Sequence, residues 1–451
     1  MSNRNLNSQI LEVEPLKNMG FWTIWALGVG AVVGDGIFLL LGQGIATAGP
    51  SAFLAFLVAG IFQLFLMVAL GELAVGMPNA GAMSVWVERF MGKWWGFLAG
   101  FAFALGWIIA GGSTGIAIGR ITCWFFPSLD VDTWTIIFAI LFLTLFAILN
   151  ILGGSIAART QLIFVLGLVG VIALFSIIGL KDVNMANYKP LFPNGMNGFW
   201  MAVPLGTYAY LGAATLTTAG GECKNPKDLP KALVWSSITF LLLYTAAQFV
   251  VEGIIPWTEV SMDVSPFTAA AEVSLGYAGG FIINLAAWVA AATCLIMGTI
   301  YAPSRIFYSH AKSGYLPKWF GYLHPKTRTP IYGIIVVWAI GVILILIGIK
   351  NPDFLYVTLT LQLVLAWMIS WLLALIAAWL YRKKCPEEVS QLEWKQPLFP
   401  LFPIVGLIGI IIVTYYTFAS IPYAFVIGFI WIAVLAIYYR FVASKRIKEM
   451  N

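Results

Sequence analysis

Apolar residues of this chain gather in long runs that short polar stretches separate. Most runs have about 20 residues or more, the length that an α-helix needs to cross a bilayer. The polar stretches are too short to form a separate soluble domain. The pattern predicts an all-α integral membrane protein with 12 transmembrane helices, whose approximate limits are 20–46, 50–77, 94–120, 133–152, 158–180, 198–220, 232–255, 279–303, 331–349, 354–381, 398–418 and 422–441.

Composition agrees with a membrane protein and argues against a nucleic-acid partner. Hydrophobic residues make up 61% of the chain, charged residues only 10%, and the mean hydropathy is +0.91. Soluble domains carry about 25% charged residues. The net charge of +6 is spread over short loops, whereas nucleic-acid binding needs basic residues clustered on one soluble face. The lipid bilayer is therefore the expected environment.

The basic residues predict the orientation of the chain. Alternate loops, counted from the N-terminal tail, hold 21 of the 25 lysines and arginines. The opposite loops hold only Arg120, Lys181, Lys189 and Lys350. Because cytoplasmic loops of membrane proteins are enriched in Lys and Arg, we expect both tails, 1–19 and 442–451, in the cytoplasm of a cell that carries this protein in its plasma membrane.

No residue pattern indicates a cofactor, a metal site or a catalytic centre. The four cysteines lack the spacing of zinc ligands or of a disulfide framework, and both histidines lie in one polar stretch. An enzyme embedded in the membrane would need facing catalytic residues, but the spans contain no histidine and their acids are scattered. A channel would repeat a filter sequence, and none is found. These two alternatives are disfavoured against a transporter.

Two spans carry signals of a broken helix. Span one contains Gly34-Asp35-Gly36 inside GVGAVVGDGIFLLLG (28–42), and span six contains Pro204, Gly206 and Gly212. Non-helical backbone inside a membrane is tolerated only where protein or a water-filled cavity surrounds it. Such glycines also serve close helix packing, which is the alternative explanation for either span alone. Breaks five spans apart, however, are typical of transporters built from two inverted repeats.

Four motifs resemble those of the amino acid–polyamine–organocation (APC) transporter superfamily, of bacterial amino acid permease type. VVGDGIF is similar to its first-span pattern of glycine, a small residue, glycine, Ile and Phe. ALGELAVGMPNAGAMSVWVERFMGKWWGFLAGF (69–101) resembles its second and third spans. TYAYLGAATLTTAGGECKNPKDLPKAL resembles its sixth span. YAPSRIFYSHAKSGYLPKWFGYLHPKTRTP resembles its loop between spans eight and nine.

This resemblance implies a LeuT-like fold of two inverted five-helix repeats plus two extra helices. The first repeat would cover 20–180, the second 198–381, and the extra helices 398–441. It also implies that the protein moves amino acids or related amines across the membrane by alternating access. The coupling partner, a proton or a counter-substrate, stays open at this stage. An antiporter selective for amines or polyamines is the alternative function.

The resemblance also implies where the substrate binds. Backbone around the first break would hold the substrate carboxylate, carbonyls at the ends of the broken halves would hold its amino group, and Tyr208 would cover the site from outside. The implied substrate-binding residues are Val33, Gly34, Asp35, Gly36, Tyr208, Ala209, Tyr210, Leu211 and Gly212. By position alone, further residues that could line the cavity are Gly111, Gly112, Ser113 and Thr293.

Two positions depart from the superfamily pattern. Leu168 stands where relatives often have a fifth-span lysine, which argues against a lysine-based proton switch. Asp35 stands where most relatives have Ser or Ala, and three interpretations of it stay open. It can replace the carboxylate of an amine substrate, carry the coupling proton, or only cap the second half of helix one, since an acid suits a helix N-terminus.

Three other acidic residues receive simpler predictions. Glu222 is expected to cap or pair at the cytoplasmic mouth near Lys224 and Lys227, where a gating ion pair is an option. Glu252 and Glu272 are expected near the outer face, in contact with solvent.

The basic and aromatic stretch 304–330 is expected to form an interfacial helix on the inner leaflet.

Overall fold

The computed structural model describes residues 14–260, 265–347, 352–420 and 422–450. Within these ranges, secondary structure is helical apart from one isolated bridge between Met19 and Cys223. Within these ranges, the side chains that lie outside the description are those of Asp35, Leu39, Leu40, Ser155, 352–361, Ser420, 422–424 and Met450.

The α-helices follow the predicted apolar runs, with some limits displaced. In chain order they are α1 Phe21–Val32, α2 Asp35–Ala48, α3 Ala52–Gly76, α4 Met83–Met91, α5 Lys93–Trp124, α6 Val131–Leu152, α7 Gly154–Gly179, α8 Gly195–Tyr210, α9 Asp228–Ile254, α10 Pro266–Thr293, α11 Ala302–Lys312, α12 Ile331–Ile347, α13 Pro352–Lys384, α14 Pro386–Gln391, α15 Leu401–Ser420, α16 Pro422–Tyr438 and α17 Ser444–Met450. A 3₁₀-helix, Leu211–Gly221, follows α8, and a π-helix, Cys294–Tyr301, joins α10 to α11.

Ten helical stretches of the described residues are long and apolar enough to cross a membrane. The helix Ile331–Ile347 is apolar but shorter. The sixth predicted span corresponds to α8, whose 16 residues pass directly into the 3₁₀-helix. The described residues therefore form a helical fold whose apolar helices suit a multi-pass membrane protein.

Small residues let the central helices approach each other closely. A Cβ atom added to Gly298 would lie 2.1 Å from the Trp107 ring, and one added to Gly106 would lie 2.1 Å from Trp367 Nε1. The two indole rings meet edge to face, with centroids 4.8 Å apart. Glycine at these positions thus seats two tryptophans in the middle of the bundle.

The bundle has two ends, which we name by their residues. The terminal face is the end that holds Met19, Glu222 and Ile447, and it carries both described ends of the chain. The opposite face is the end that holds Thr47, Tyr188 and Gly253. There, Asn194 Nδ2 donates to Thr47 O at 2.9 Å and Asn184 N donates to Gly253 O at 2.9 Å.

The prediction of an interfacial helix over 304–330 is wrong for its first part. The helix of span eight runs from the non-helical residue Gly276 (φ 66°, ψ −167°), which separates it from the helical turns that begin at Pro266, through the π-helix and α11 to Lys312. Arg305 is 2% exposed and His310 is fully buried, because α11 packs against α5 and α12 instead of the bilayer surface. Charge and aromatic content alone do not distinguish these two placements.

Candidate functional site

The first helix is interrupted between Val32 and Asp35. Val33 leaves the helical region with φ −76° and ψ 77°, Gly34 is extended, and α2 begins at Asp35. The carbonyl of Val32, at the end of α1, accepts hydrogen bonds from Gly34 N at 2.8 Å and from the Tyr244 hydroxyl at 3.0 Å. The interruption therefore leaves the N-terminus of α2 open in the middle of the bundle.

The second interruption follows Tyr210, where α8 gives way to the 3₁₀-helix. The two interrupted helices meet at Gly212, because a Cβ atom there would lie 1.9 Å from the carbonyl oxygen of Ala31. No side chain larger than hydrogen fits without displacing backbone. The glycine thus permits direct backbone contact between the two broken helices.

A small cavity lies where the broken helices meet. Its volume is about 30 Å³, which is room for about two water molecules. An amino acid therefore needs a rearrangement to enter. The cavity is lined by Ala31, Val32, Gly34, Gly36, Trp107, Ala110, Tyr208, Ala209, Leu211, Gly212, Cys294, Leu363 and Trp367.

Six of the residues that the sequence suggested for substrate binding line this cavity. They are Gly34, Gly36, Tyr208, Ala209, Leu211 and Gly212. Val33 and Tyr210 are buried beside it without lining it. On α5, Ala110 lines the cavity instead of Gly111, Gly112 or Ser113. Thr293 also lies behind the wall, where its hydroxyl donates to Ala290 O at 2.7 Å and lies 3.4 Å from Val33 O.

Two tryptophans and one cysteine of the wall were missing from the sequence analysis. Trp107, Trp367 and Cys294 come from α5, α13 and the π-helix. The Trp107 indole N–H has no acceptor among the described residues, whereas Trp367 donates to Phe103 O at 2.9 Å. A single sequence contains no signal that would distinguish these residues from ordinary core aromatics.

Asp35 occupies the first helical position of α2, and its side chain lies outside the described part of the structure. The position before it, Gly34, is the N-cap residue and offers no side-chain hydrogen bond. Asp35 is thus the residue directly after the N-cap, and the three interpretations of its role stay open. An acid in the first turn still interacts favourably with the helix dipole.

Tyr208 lies directly against the first break. A Cβ atom on Gly36 would come within 2.9 Å of the tyrosine ring, so the ring covers the first turn of α2. Tyr208 is 9% exposed and belongs to the cavity wall. Its position agrees with a cover over the N-terminus of α2.

At the terminal face, Glu222 forms a buried ion pair with Arg305. Arg305 Nε donates to Glu222 Oε1 at 2.9 Å, and the two side chains are 2% and 8% exposed. The guanidinium also lies 3.7 Å from the centre of the Tyr301 ring, and its Nη1 donates to Ser304 Oγ at 3.2 Å. Glu222 is therefore paired, and its partner is Arg305 of α11 instead of the neighbouring Lys224 or Lys227.

Backbone hydrogen bonds tie the segment before α1 to this ion pair. Met19 N donates to Glu222 O at 3.0 Å, and Lys224 N donates to Met19 O at 2.9 Å. The N-terminus of α7 covers the pair, since a Cβ atom on Gly154 would lie 2.7 Å from both Arg305 Nη2 and Glu222 Oε2. The segment before α1, the segment after the 3₁₀-helix, α11 and the start of α7 thus meet in one buried cluster at the terminal face.

At the opposite face, Glu252 is buried, which contradicts its expected contact with solvent. Its side chain belongs to α9 and the residue is 2% exposed. Neither carboxylate oxygen has a hydrogen-bond partner in the described part of the chain. Glu272, expected in the same region, is exposed.

Comparison with known proteins identifies relatives of this chain. The family profile described as amino acid permease matches residues 24–451. Amino-acid permease RocE of Bacillus subtilis (strain 168) is 28% identical over 400 residues, which cover 83% of this chain and 84% of RocE. The uncharacterized amino acid permease YtnA of the same organism is 30% identical over 437 residues, 92% of each chain.

A relative from a second organism shows the same extended similarity. The D-serine/D-alanine/glycine transporter of Escherichia coli (strain K12) is 26% identical over 398 residues, which cover 83% of this chain and 82% of the transporter. The range that the family profile matches, 24–451, includes both interruptions, the residues that line the cavity and the Glu222–Arg305 pair. The resemblance to the APC superfamily is confirmed, and the chain belongs to the amino acid permease family of transporters.

Proposed function

We propose that this protein is a secondary transporter that carries neutral amino acids across the plasma membrane by alternating access. The observation that carries the proposal is the cavity between two interrupted helices, at the contact of Gly212 with Ala31. Discontinuous helices at the repeat interface are the usual binding site of such transporters.

The cavity wall favours a zwitterionic ligand with an uncharged side chain. The open N-terminus of α2, at Gly34 and Gly36, offers backbone N–H groups and a positive dipole end to the ligand carboxylate. The remaining wall is apolar, with Leu211, Leu363 and two tryptophans, and the free indole N–H of Trp107 is a donor for one further polar group. The name of the D-serine/D-alanine/glycine transporter points to the same substrate class.

The proposed architecture has 12 spans in a LeuT-like arrangement of five plus five plus two. The two short helices, α8 and α12, then count as spans six and nine. Basic residues concentrate at the terminal face, so this face is assigned to the cytoplasm and the opposite face to the outside. Both interruptions then lie near the middle of the membrane.

Closure toward the cytoplasm is proposed to depend on the Glu222–Arg305 pair. The pair joins the segment before α1, the segment after the 3₁₀-helix and α11. Opening on this side requires α1 to separate from the other two, which breaks the hydrogen bonds of Met19. Removing one partner leaves an uncompensated buried charge, so the closed state loses its advantage.

The proposal is tested with the purified protein in lipid vesicles. Counterflow of radiolabelled glycine, serine, threonine, leucine and histidine is measured at equal pH on both sides, beside thermal stabilisation by each compound. A ligand that binds the folded protein raises its apparent stability by mass action. We expect saturable counterflow and stabilisation by at least one neutral amino acid.

The matched control uses the decarboxylated amine of each amino acid. If amines stabilise and their parent amino acids do not, Asp35 replaces the substrate carboxylate and the amine antiporter becomes the correct function. Flux that does not saturate and shows no trans-stimulation would indicate a pore. In the variant Asp35→Ser, a shift of selectivity toward carboxylated ligands would assign Asp35 to the site, and unchanged selectivity would leave it a purely structural residue.

A further inference from the structure

Three polar side chains follow one face of α9 through the apolar bundle. Tyr244, Gln248 and Glu252 are spaced by four residues, so they lie on the same side of the helix. Tyr244 and Gln248 are fully buried and Glu252 is 2% exposed. At a rise of about 1.5 Å per residue, the three span about 12 Å along the helix axis. We call these three residues the α9 polar file.

One end of the file lies at the substrate cavity. The Tyr244 hydroxyl donates to the carbonyl oxygen of Val32 at 3.0 Å. Val32 is the last residue of α1, and it lines the cavity at the first interruption. A change at Tyr244 therefore acts directly on the backbone where the first helix breaks.

The other end of the file is the carboxyl group of Glu252 at the opposite face. It faces the backbone N–H of Phe53 in the first turn of α3, but without a hydrogen bond of good geometry. No lysine or arginine forms an ion pair with it among the described residues. An ionised carboxylate in such a place is costly, and ionisable residues inside membrane helices are typically functional.

Gln248 lies between these two ends, and its amide has no hydrogen-bond partner in the described structure. Both Nε2 and Oε1 are buried and unpaired. Nearly all buried polar side chains in proteins have a partner, so two consecutive unpaired groups on one helix face need an explanation. An amide can accept a hydrogen bond from a neutral carboxyl group and donate one to a carboxylate, so it can respond to either form.

The titratable surroundings of Glu252 are simple. Tyr188, in the turn that packs on α9, is the described ionisable side chain that interacts with the carboxyl group. Its burial, and to a smaller extent the charge of Glu252, raise the pKa of its phenol. That phenol donates to Phe249 O. Among the residues that the structure describes, the other ionisable side chains of the turns and helix start around this end of α9 are exposed: Lys181, Asp182, Lys189, Glu259 and Glu272.

We infer that Glu252 is the proton-binding residue of this transporter, and that Gln248 and Tyr244 link its protonation to the first helix break. One proton from water at the opposite face neutralises the Glu252 carboxylate, and its release restores the charge. The neutral form donates to Gln248 Oε1, and the ionised form accepts from Gln248 Nε2, so the amide turns. This inference rests on the proposed transport function, for which it names the coupling ion and its site.

The test compares Glu252→Gln with the wild type and with Glu272→Gln, a matched change of an exposed acid. Vesicles are loaded with a pH-sensitive dye, and the uptake of radiolabelled glycine, serine, threonine, leucine and histidine is followed under an imposed pH gradient. Counterflow of the same compounds at equal pH is measured in parallel. We expect E252Q to lose gradient-driven uptake and dye response by about tenfold, typical of coupling between two sites, while counterflow persists.

Further variants guard against a folding defect. Glu252→Asp keeps a proton-binding group and should recover part of the dye response, whereas Gln248→Leu and Tyr244→Phe should weaken it with Glu252 in place. Labelling by dicyclohexylcarbodiimide, which modifies protonated carboxyl groups in apolar surroundings, should mark Glu252 and spare Glu272 in the wild type.

The outcomes separate the two proposals. Wild-type uptake by E252Q under the gradient overturns the inference, and so does a wild-type protein that shows counterflow but no response to the gradient. Absence of counterflow for every compound instead refutes the proposed transport of neutral amino acids. In that case the inference is judged on the labelling, and an unlabelled Glu252 overturns it.

Discussion

Glu222 and Glu252 are buried to a similar degree at opposite ends of the helix bundle, but their surroundings differ. At the terminal face, Glu222 accepts a hydrogen bond from Arg305 at 2.9 Å, with Tyr301 against the guanidinium. At the opposite face, Glu252 has no partner for either oxygen in the described chain. One site balances the charge, and the other can avoid the cost of a charge by holding a proton.

The difference separates two uses of a buried acid in a transporter. A paired carboxylate is held by its partner, so it joins chain segments and can act as a closing contact. An unpaired carboxyl group does not hold chain segments together. It can, however, gain or lose a proton without breaking an ion pair. Both groups are connected to the cavity region. Glu222 lies just after the 3₁₀-helix that follows α8, and the α9 polar file runs from Glu252 to Tyr244 at the break of the first helix. The following predictions test this contrast.

The largest effect is expected from Arg305→Ala. The substitution leaves Glu222 buried without a counter-charge, which costs about 3–5 kcal/mol in comparable pairs. The control is Lys227→Ala, because Lys227 lies 3.8 Å from Glu393 and both side chains are well exposed, a type of pair worth at most about 1 kcal/mol. Apparent unfolding temperatures in detergent should drop strongly for R305A only. Equal unfolding temperatures for the two variants would show that the buried ion pair does not stabilise the folded protein.

The next effect concerns the centre that both ends act on. In Gly212→Ala, the new Cβ atom would meet the Ala31 carbonyl, and overpacking of this kind costs about 1–3 kcal/mol. Counterflow should be lost because the broken helices are forced apart. Gly167→Ala is the control, since nothing lies within 4 Å of a Cβ atom there. Normal counterflow by G212A would mean that the direct backbone contact is not needed.

A smaller effect on stability is expected from Glu252→Gln, in contrast to the same change at Glu222. A neutral acid and an amide differ little, so E252Q should change stability by about 1 kcal/mol or less. E222Q leaves Arg305 as an unpaired buried cation and should resemble R305A. Unfolding temperatures of the two glutamine variants give the comparison directly. A strong loss in E252Q would mean that Glu252 is ionised and paired.

A similarly small effect on stability, which in addition depends on pH, is expected from Tyr188→Phe. At neutral pH the variant loses one hydrogen bond to Phe249 O, worth about 1 kcal/mol. Burial raises the pKa of Tyr188, so above pH 10 the phenol ionises only in the unfolded chain and wild-type stability falls with rising pH. The stability gap between Y188F and the wild type should therefore narrow above pH 10. A constant gap would contradict the raised pKa.

Much of the candidate site was accessible from local patterns. Gly34 and Gly212 lie in apolar runs where a regular helix would need no glycine, and both now lie at the contact of the interrupted helices. Their signal is local, since glycine and proline affect the helix that contains them. The family motifs added Tyr208, which lies against Gly36.

The rest of the site required the packing of distant segments. Trp107 and Trp367 reach the cavity because glycines on neighbouring helices make room for them. Arg305 was assigned to an interfacial helix, but the helix of span eight continues through this residue and carries it into the bundle. In each case the deciding contact joins residues that are far apart in sequence, and a single sequence does not show which distant residues lie close together in space.

The sequence by itself determined the class of the protein: long apolar runs force helices that satisfy their own backbone in lipid, and the glycine-rich interruptions mark where that regularity ends. Only the tertiary structure decided whether each buried acid has a charged partner. Glu222 pairs with a guanidinium 83 residues further along the chain, whereas Glu252 has no such partner among the described residues. The physical reason is that desolvation and pairing depend on which helices surround a carboxylate, which only packing establishes.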